Sequence, residues 1–268
     1  MGITITPNDE LRHNFQHQLR IGPELEEFVA TTLVGRQESS TIDRRKSATF
    51  MALADKSFTT FHSIVILLRA RLFEDASALV RILYESTMTA TFLLAADARE
   101  VDDYADFFMY RNWRDHLLAE EVNPNARNAF APETLKRMQE QFCEVERRYS
   151  KGKWTTRSAE DMARAADEYL PTGHKVFSVL YASIYRQCSA YVHSDVRSIQ
   201  GRIRETPEGL VTINRQIPVE TCAGLMYAAN FLMLSTCFLV ARTFYDDNCV
   251  LKWNKLVLRW NGSPDSES

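Results

Sequence analysis

The chain is poor in the residues that punctuate a fold. Nine Gly and eight Pro serve 268 residues. A β-sandwich or barrel needs many tight turns, so this scarcity argues against both and favours long helices. An excess of basic charge is also missing. Lys and Arg number 32 against 35 Asp and Glu, for a net charge of −3. No global positive field therefore advertises nucleic-acid binding, which leaves only a local patch for that role. The five cysteines, Cys143, Cys188, Cys222, Cys237 and Cys249, form no C-x-x-C pair, and their number is odd. Most sit in apolar helical pattern, so they read as reduced core thiols of a cytoplasmic protein. The opening MGITITPNDELRHNF lacks an apolar h-region, so no signal peptide is expected. Walker, GxGxxG, GxSxG and HExxH signatures are absent, as is the pair of E-x-x-H motifs of di-iron bundles.

What the sequence does hold is helical periodicity. A first helix is expected over about 8–35, interrupted near Gly22-Pro23, with Leu11, Phe15, Leu19, Leu25 and Phe28 on its apolar face. A long helix over about 42–72 follows, carrying Phe50, Leu53, Phe61, Ile64 and Leu68. Another covers about 75–96, with Glu74 and Asp75 supplying negative charge to its start. Almost nothing joins these two, so they should form an antiparallel hairpin. Further helices are expected at about 99–121, 132–150 and 174–194. Residues 202–214 alternate around Pro207-Glu208-Gly209 and read as a short β-hairpin. The fold class is mainly all-α. It is a multi-helix bundle of long antiparallel helices in one domain over 1–260, with a charged helical excursion near 125–170 and a disordered tail at 261–268.

Between Glu220 and Arg242 lie 21 residues without a charge. That length could span a bilayer. Thr221, Gly224, Asn230, Ser235 and Thr236 dilute its hydrophobicity, and no other segment matches it. A core helix buried on all sides is favoured over a membrane span, and a membrane-associated protein built around 221–241 is the alternative.

Candidate chemistry starts with histidine. His13 and His17 have the i, i+4 spacing of metal ligands, but no Glu lies between them, and they read as exposed helix residues. No metal or other cofactor is expected. An Arg paired with a His suits RNA cleavage without a metal. His titrates near neutrality, and Arg offers a fixed planar cation to a crowded phosphorus centre. The helical HEPN nucleases carry such a pair as Arg, four to six residues, then His, often with Asn, Asp or His after the Arg. Here that spacing occurs at Arg12–His17, Arg111–His116 and Arg186–His193. With 24 Arg and six His, composition alone would give about one or two such matches. Geometry discriminates better. Arg186, Ser189 and His193 fall on one stripe, because seven residues make nearly two turns. Arg111 and His116 lie about 140° apart on an ideal helix. His193 is also expected near a helix C-terminus, where the dipole favours its protonated form.

A second polar cluster interrupts an apolar helix. In ALVRILYESTM, Arg81 and Glu85 stand at i and i+4. Alone they would be a modest intrahelical ion pair. Arg69 and Arg71 end the preceding helix, so several cations could gather near one end of the hairpin, either as an anion-binding pocket or as a structural polar network.

RARLFEDASALVRILYESTMTATFLL, with the later YRQCSAYVHSD, resembles a bacterial family of uncharacterised helical proteins known only as a domain of unknown function. The shared pattern is an Arg-rich helix end, R-x-x-x-E and a later S-x-x-x-H. Here those are Arg69, Arg81, Glu85, Ser189 and His193, within roughly 45–245. That family in turn is similar to HEPN-type bundles, whose members include toxin and phage-defence RNases. Gln187 departs from the residue usual after the Arg. The resemblance implies a metal-independent endoribonuclease in which Arg186, Ser189 and His193 are catalytic and Arg69, Arg81 and Glu85 bind substrate. It also implies RNA as substrate and a homodimer as the assembly. The alternative is a non-catalytic helical module that binds an anionic small ligand or a protein partner.

Overall fold

The computed structural model describes residues 7–33, 42–125, 130–146, 149, 153–170, 175–193, 203–207, 209, 211–213, 219–245 and 247–261. The expected tail from 262 onward and the turn residue Glu208 lie outside them. Helix α1 (Pro7–Phe28) ends in a π turn at Val29–Leu33. It is followed by α2 (Arg44–Arg69), α3 (Phe73–Ala95), α4 (Ala98–Val122), α5 (Pro132–Glu146) and α6 (Ala159–Tyr169). Helix α7 (Val176–Leu180) then runs through a π segment at Tyr181–Tyr185 into α8 (Arg186–Val192). Strands β1 (Ile203–Glu205) and β2 (Val211–Ile213) pair antiparallel, Arg204 opposite Thr212. Helices α9 (Val219–Phe244) and α10 (Asp247–Trp260) complete the order.

The bundle is all-α apart from that hairpin. The α2–α3 connection shows why the two helices fold back on each other. Arg71 adopts φ 61°, the Leu72 N–H donates to the Leu67 carbonyl at 2.8 Å, and the Arg71 N–H donates to Leu68 at 3.1 Å. These two bonds are the Schellman pattern, which satisfies the last carbonyls of α2 within a three-residue turn. At the other end, the Asp43 carboxylate caps α2 by accepting from the Arg45 and Lys46 N–H groups. The Lys46 ammonium reaches across to the Ala96 carbonyl at the end of α3, 2.7 Å away.

The charge-free segment lies in α9, which packs on α1, α2, α3 and α10. Its buried polar side chains find partners there, although the Asn230 Oδ1 atom has none among the described residues. Asn230 donates to the side chain and backbone oxygens of Gln18, at 2.8 and 2.9 Å, and Thr236 shares a hydrogen bond with Thr87 at 3.1 Å. Buried polar groups that are paired in this way avoid most of their desolvation penalty. By length and composition, residues Thr221–Phe244 are apolar enough to cross a membrane. So are α2 and α3, which the sequence reading did not single out. All three contribute to one core, in which Phe50, Phe61, Leu83, Leu93, Met226, Leu232 and Val240 are essentially inaccessible. Each such side chain contributes roughly 1.5–3 kcal/mol by burial.

The expected interruption at Gly22-Pro23 does not occur, and α1 carries Pro23 inside it. A Cβ on Gly22 would stand 3.1 Å from Val65 Cγ2, so the missing side chain lets α1 approach α2 closely. That packing outweighs the backbone bond lost at the proline. The charged excursion divides in two. Helix α5 joins α4 in a separate aromatic cluster of Tyr110, Trp113, Phe142 and Tyr149. Helix α6 returns to α3, where Ala163 and Ala166 enter the main core.

Candidate functional site

Two local devices bring the α7–α8 helix to α3. The first is Asp167 near the end of α6. Its carboxylate accepts from the Phe177 and Ser178 backbone N–H groups at 2.6 and 3.0 Å, occupying donors that the start of α7 leaves free. The second is Tyr84 on α3. It is fully buried, and its hydroxyl donates to the Phe177 carbonyl at 2.9 Å. Burial, with Asp167 next in effect, raises the pKa of this phenol far beyond its usual range. It therefore stays a neutral donor.

Downstream of that anchor lie the residues of interest. Arg81 Nη1 is 3.1 Å from His193 Nε2, a contact between residues 112 positions apart. Arg81 Nη2 is 3.2 Å from Glu85 Oε1. The Tyr185 hydroxyl donates to the same carboxylate oxygen at 3.0 Å, and the guanidinium carbon sits 5.3 Å from the centre of the Tyr185 ring. Tyr181 stacks on Tyr185 at 5.2 Å, and Tyr84 lies 5.1 Å from its centre. The Arg81 side chain is mostly buried, at 18% exposure, while Glu85 retains 43%. Burial alone would pull the guanidinium down, but Glu85 and then Tyr185 more than offset it, so Arg81 is held firmly charged. The Tyr185 phenol is pushed up, first by burial and then by Glu85.

The donor and acceptor inventory fixes one further point. A guanidinium has no acceptor atom, so Nε2 of His193 must accept the Arg81 proton with its lone pair. The imidazole in this arrangement is neutral, with its proton on Nδ1. This geometry has no place for a proton on Nε2.

The expected stripe is present. Arg186 opens α8 and His193 caps it, its N–H still donating to the Ser189 carbonyl at 3.1 Å. Arg186 and His193 are exposed and Ser189 half-buried. Among the described residues Arg186 has no hydrogen-bond or ion-pair partner, His193 included. The Ser189 hydroxyl donates to the Tyr185 carbonyl of its own helix at 2.8 Å, which leaves its oxygen as an acceptor only. Arg69 is exposed at the end of α2, with no polar contact to the cluster. Arg71 is exposed in the turn.

The other Arg–His pairs fare differently. Arg111 is exposed while His116 is buried in the α4–α5 region. There His116 Nε2 lies 3.2 Å from Glu120, with Trp113 and Phe130 rings 5.5 and 5.4 Å away. His17 Nε2 donates to the Trp260 carbonyl at 3.1 Å, and the Arg12 and His13 side chains lie outside the described residues. Among the described residues no three His, Cys, Asp or Glu cluster to hold a metal ion.

Sequence reasoning missed Tyr185. Its signal was the i, i+4 pair Tyr181 and Tyr185, two polar-tipped rings on the inner face of the helix. Cys188 lies beside the site, and burial pushes its thiol up to about 12, so it is no nucleophile near neutral pH.

Residues 48–210 match the family described as "Family of unknown function (DUF5677)", and the chain belongs to that family. The matched stretch contains Arg69, Arg81, Glu85, Tyr185, Arg186, Ser189 and His193. No curated protein and no solved structure matches the chain.

Proposed function

We propose that this protein is a HEPN-like, metal-independent endoribonuclease of the bacterial defence or toxin type, acting in the cytoplasm. One observation carries the reading. Arg81 from α3, itself paired with Glu85, lies within hydrogen-bonding distance of the exposed His193 at the end of α8. In this reading His193 takes the proton of a ribose 2′-hydroxyl. The 2′-oxygen attacks phosphorus and the bond to the 5′-oxygen breaks. That oxygen leaves with a proton from water, and the other product is a 2′,3′-cyclic phosphate. Arg186, exposed and unpartnered among the described residues, stabilises the charge that builds on the phosphorane oxygens. Arg81 and Glu85 hold the phosphate and position His193. Ser189 orients the ribose through its acceptor oxygen, and Arg69 adds a distant cation for the incoming strand. Val179 and Val192, 61% and 43% exposed on the same helical run, suit a homodimer with two such helices face to face. The test is cleavage of RNA by purified protein with EDTA present, repeated with His193→Ala. Intact RNA after wild-type incubation, or undiminished cleavage by the variant, overturns the assignment.

A second reading is a non-catalytic module for an anionic small ligand or a protein partner. It is favoured by Arg186 standing apart from His193 while Arg81 holds it. It expects no cleavage, but a thermal shift with a nucleotide or protein that Arg81→Ala removes.

A further inference from the structure

We infer that Arg81 is a releasable cap on His193, and that a phosphate oxyanion is what lifts it. This rests on the reading that the site takes phosphate. The only nitrogen of His193 with a lone pair is Nε2, and Arg81 Nη1 occupies it at 3.1 Å. A base whose lone pair is engaged cannot take a proton, so the free protein is held in a silent form.

The bonds around Arg81 differ in strength. Nη2 faces the Glu85 carboxylate, a charge-assisted contact, and the guanidinium rests on the Tyr185 ring. The Tyr185 hydroxyl fastens that carboxylate in turn. The imidazole is a neutral acceptor and the weakest of these partners. A phosphate offers the guanidinium fork charged, planar-matched oxygens and outbids the imidazole for Nη1, while Glu85 and Tyr185 keep the side chain in place. Binding then frees Nε2 beside the bound phosphate. Tyr185 and Glu85 are positioning residues in this scheme, since they act through Arg81.

The test reads the tautomer directly. Long-range nitrogen–proton NMR is recorded on histidine-labelled full chain at about pH 8, above the usual imidazole range, with His193→Gln used to assign the signal. The free protein should show His193 protonated at Nδ1, with Nε2 carrying the shift of an unprotonated, hydrogen-bonded nitrogen. Inorganic phosphate and a 2′-O-methyl RNA oligonucleotide, which has no cleavable hydroxyl, are titrated separately. Movement of the Nε2 signal with both assigns any phosphate, and movement with the oligonucleotide alone assigns a phosphodiester strand. Either supports the cap. Arg81→Met should abolish the free-state signature, and Tyr185→Phe should weaken it. Should Arg81→Met fail to fold, the wild-type titrations decide. A protonated Nε2 in the free chain, or an Nε2 signal that neither ligand moves, overturns the inference. Cleavage is scored separately. A chain that releases the cap yet leaves RNA intact keeps this inference and loses the nuclease. A chain that cuts RNA with Nε2 protonated at rest does the reverse.

Discussion

Arg111–His116 and Arg186–His193 present similar spacing in the sequence and opposite fates in the fold. His116 is 6% exposed, held by Glu120 and wedged between Trp113 and Phe130. His193 stands exposed at a helix end with an arginine from another helix on its ring nitrogen. The first pair has the better match after its arginine, Asn112, yet the continuous α4 helix points its two members apart. What separates the pairs is where the helix ends and what packs against it. A spacing rule sees neither.

The sharpest break is a pair of alanine substitutions. His193→Ala should lower cleavage by about 10²–10⁴-fold, the usual contribution of a general base, with little change in melting temperature. His116→Ala should do the opposite. It removes a buried ring with its contacts to Trp113 and Phe130, so about 2 kcal/mol of stability is lost and Tm falls by about 5 °C, with cleavage retained. If His116→Ala instead kills cleavage in a folded chain, the site lies in α4.

The arginines sharpen the contrast. Arg186→Ala should reduce turnover by about 10²-fold through loss of transition-state stabilisation. Arg111→Ala should leave it unchanged. Both residues are exposed, so both variants should stay within about 0.5 kcal/mol of wild-type stability by denaturant titration. The smallest effect belongs to Ser189→Ala. Its hydroxyl back-bonds its own helix, an interaction of little net value, so stability should again move by less than about 0.5 kcal/mol. A loss of turnover beyond about threefold would raise Ser189 from an orienting residue to a catalytic one.

Much of the frame was legible because its causes are local. Apolar spacing and the absence of turn residues put a helix at about 75–96, and α3 runs Phe73–Ala95. The hairpin at 202–214 also follows from nearby residues, with Gly209 at φ 76° as its turn requires. Where tertiary packing decides, sequence reasoning fell short. The continuity of α1 through Pro23 depends on how Gly22 meets Val65. At the site, the stripe of Arg186, Ser189 and His193 was readable from helix geometry. The contact with Arg81 was an open question, since its partners are 112 residues apart in the chain. Tyr185 carried only the weak signal of its i, i+4 partner Tyr181, because its role needs Glu85 and Arg81 from α3 on the other side.

The wide turn at Tyr181–Tyr185 works as a phase shifter. Each residue of an α-helix advances the direction of its side chain by about 100°, so a single residue of slack rotates everything after it. The start of this helical run is clocked by the Asp167 clamp, and its end is clocked by Arg81. A straight helix would have to satisfy both clocks with one pitch. The π turn lets each be set independently, and a chain one residue shorter between Ser178 and His193 would have to give up one of them.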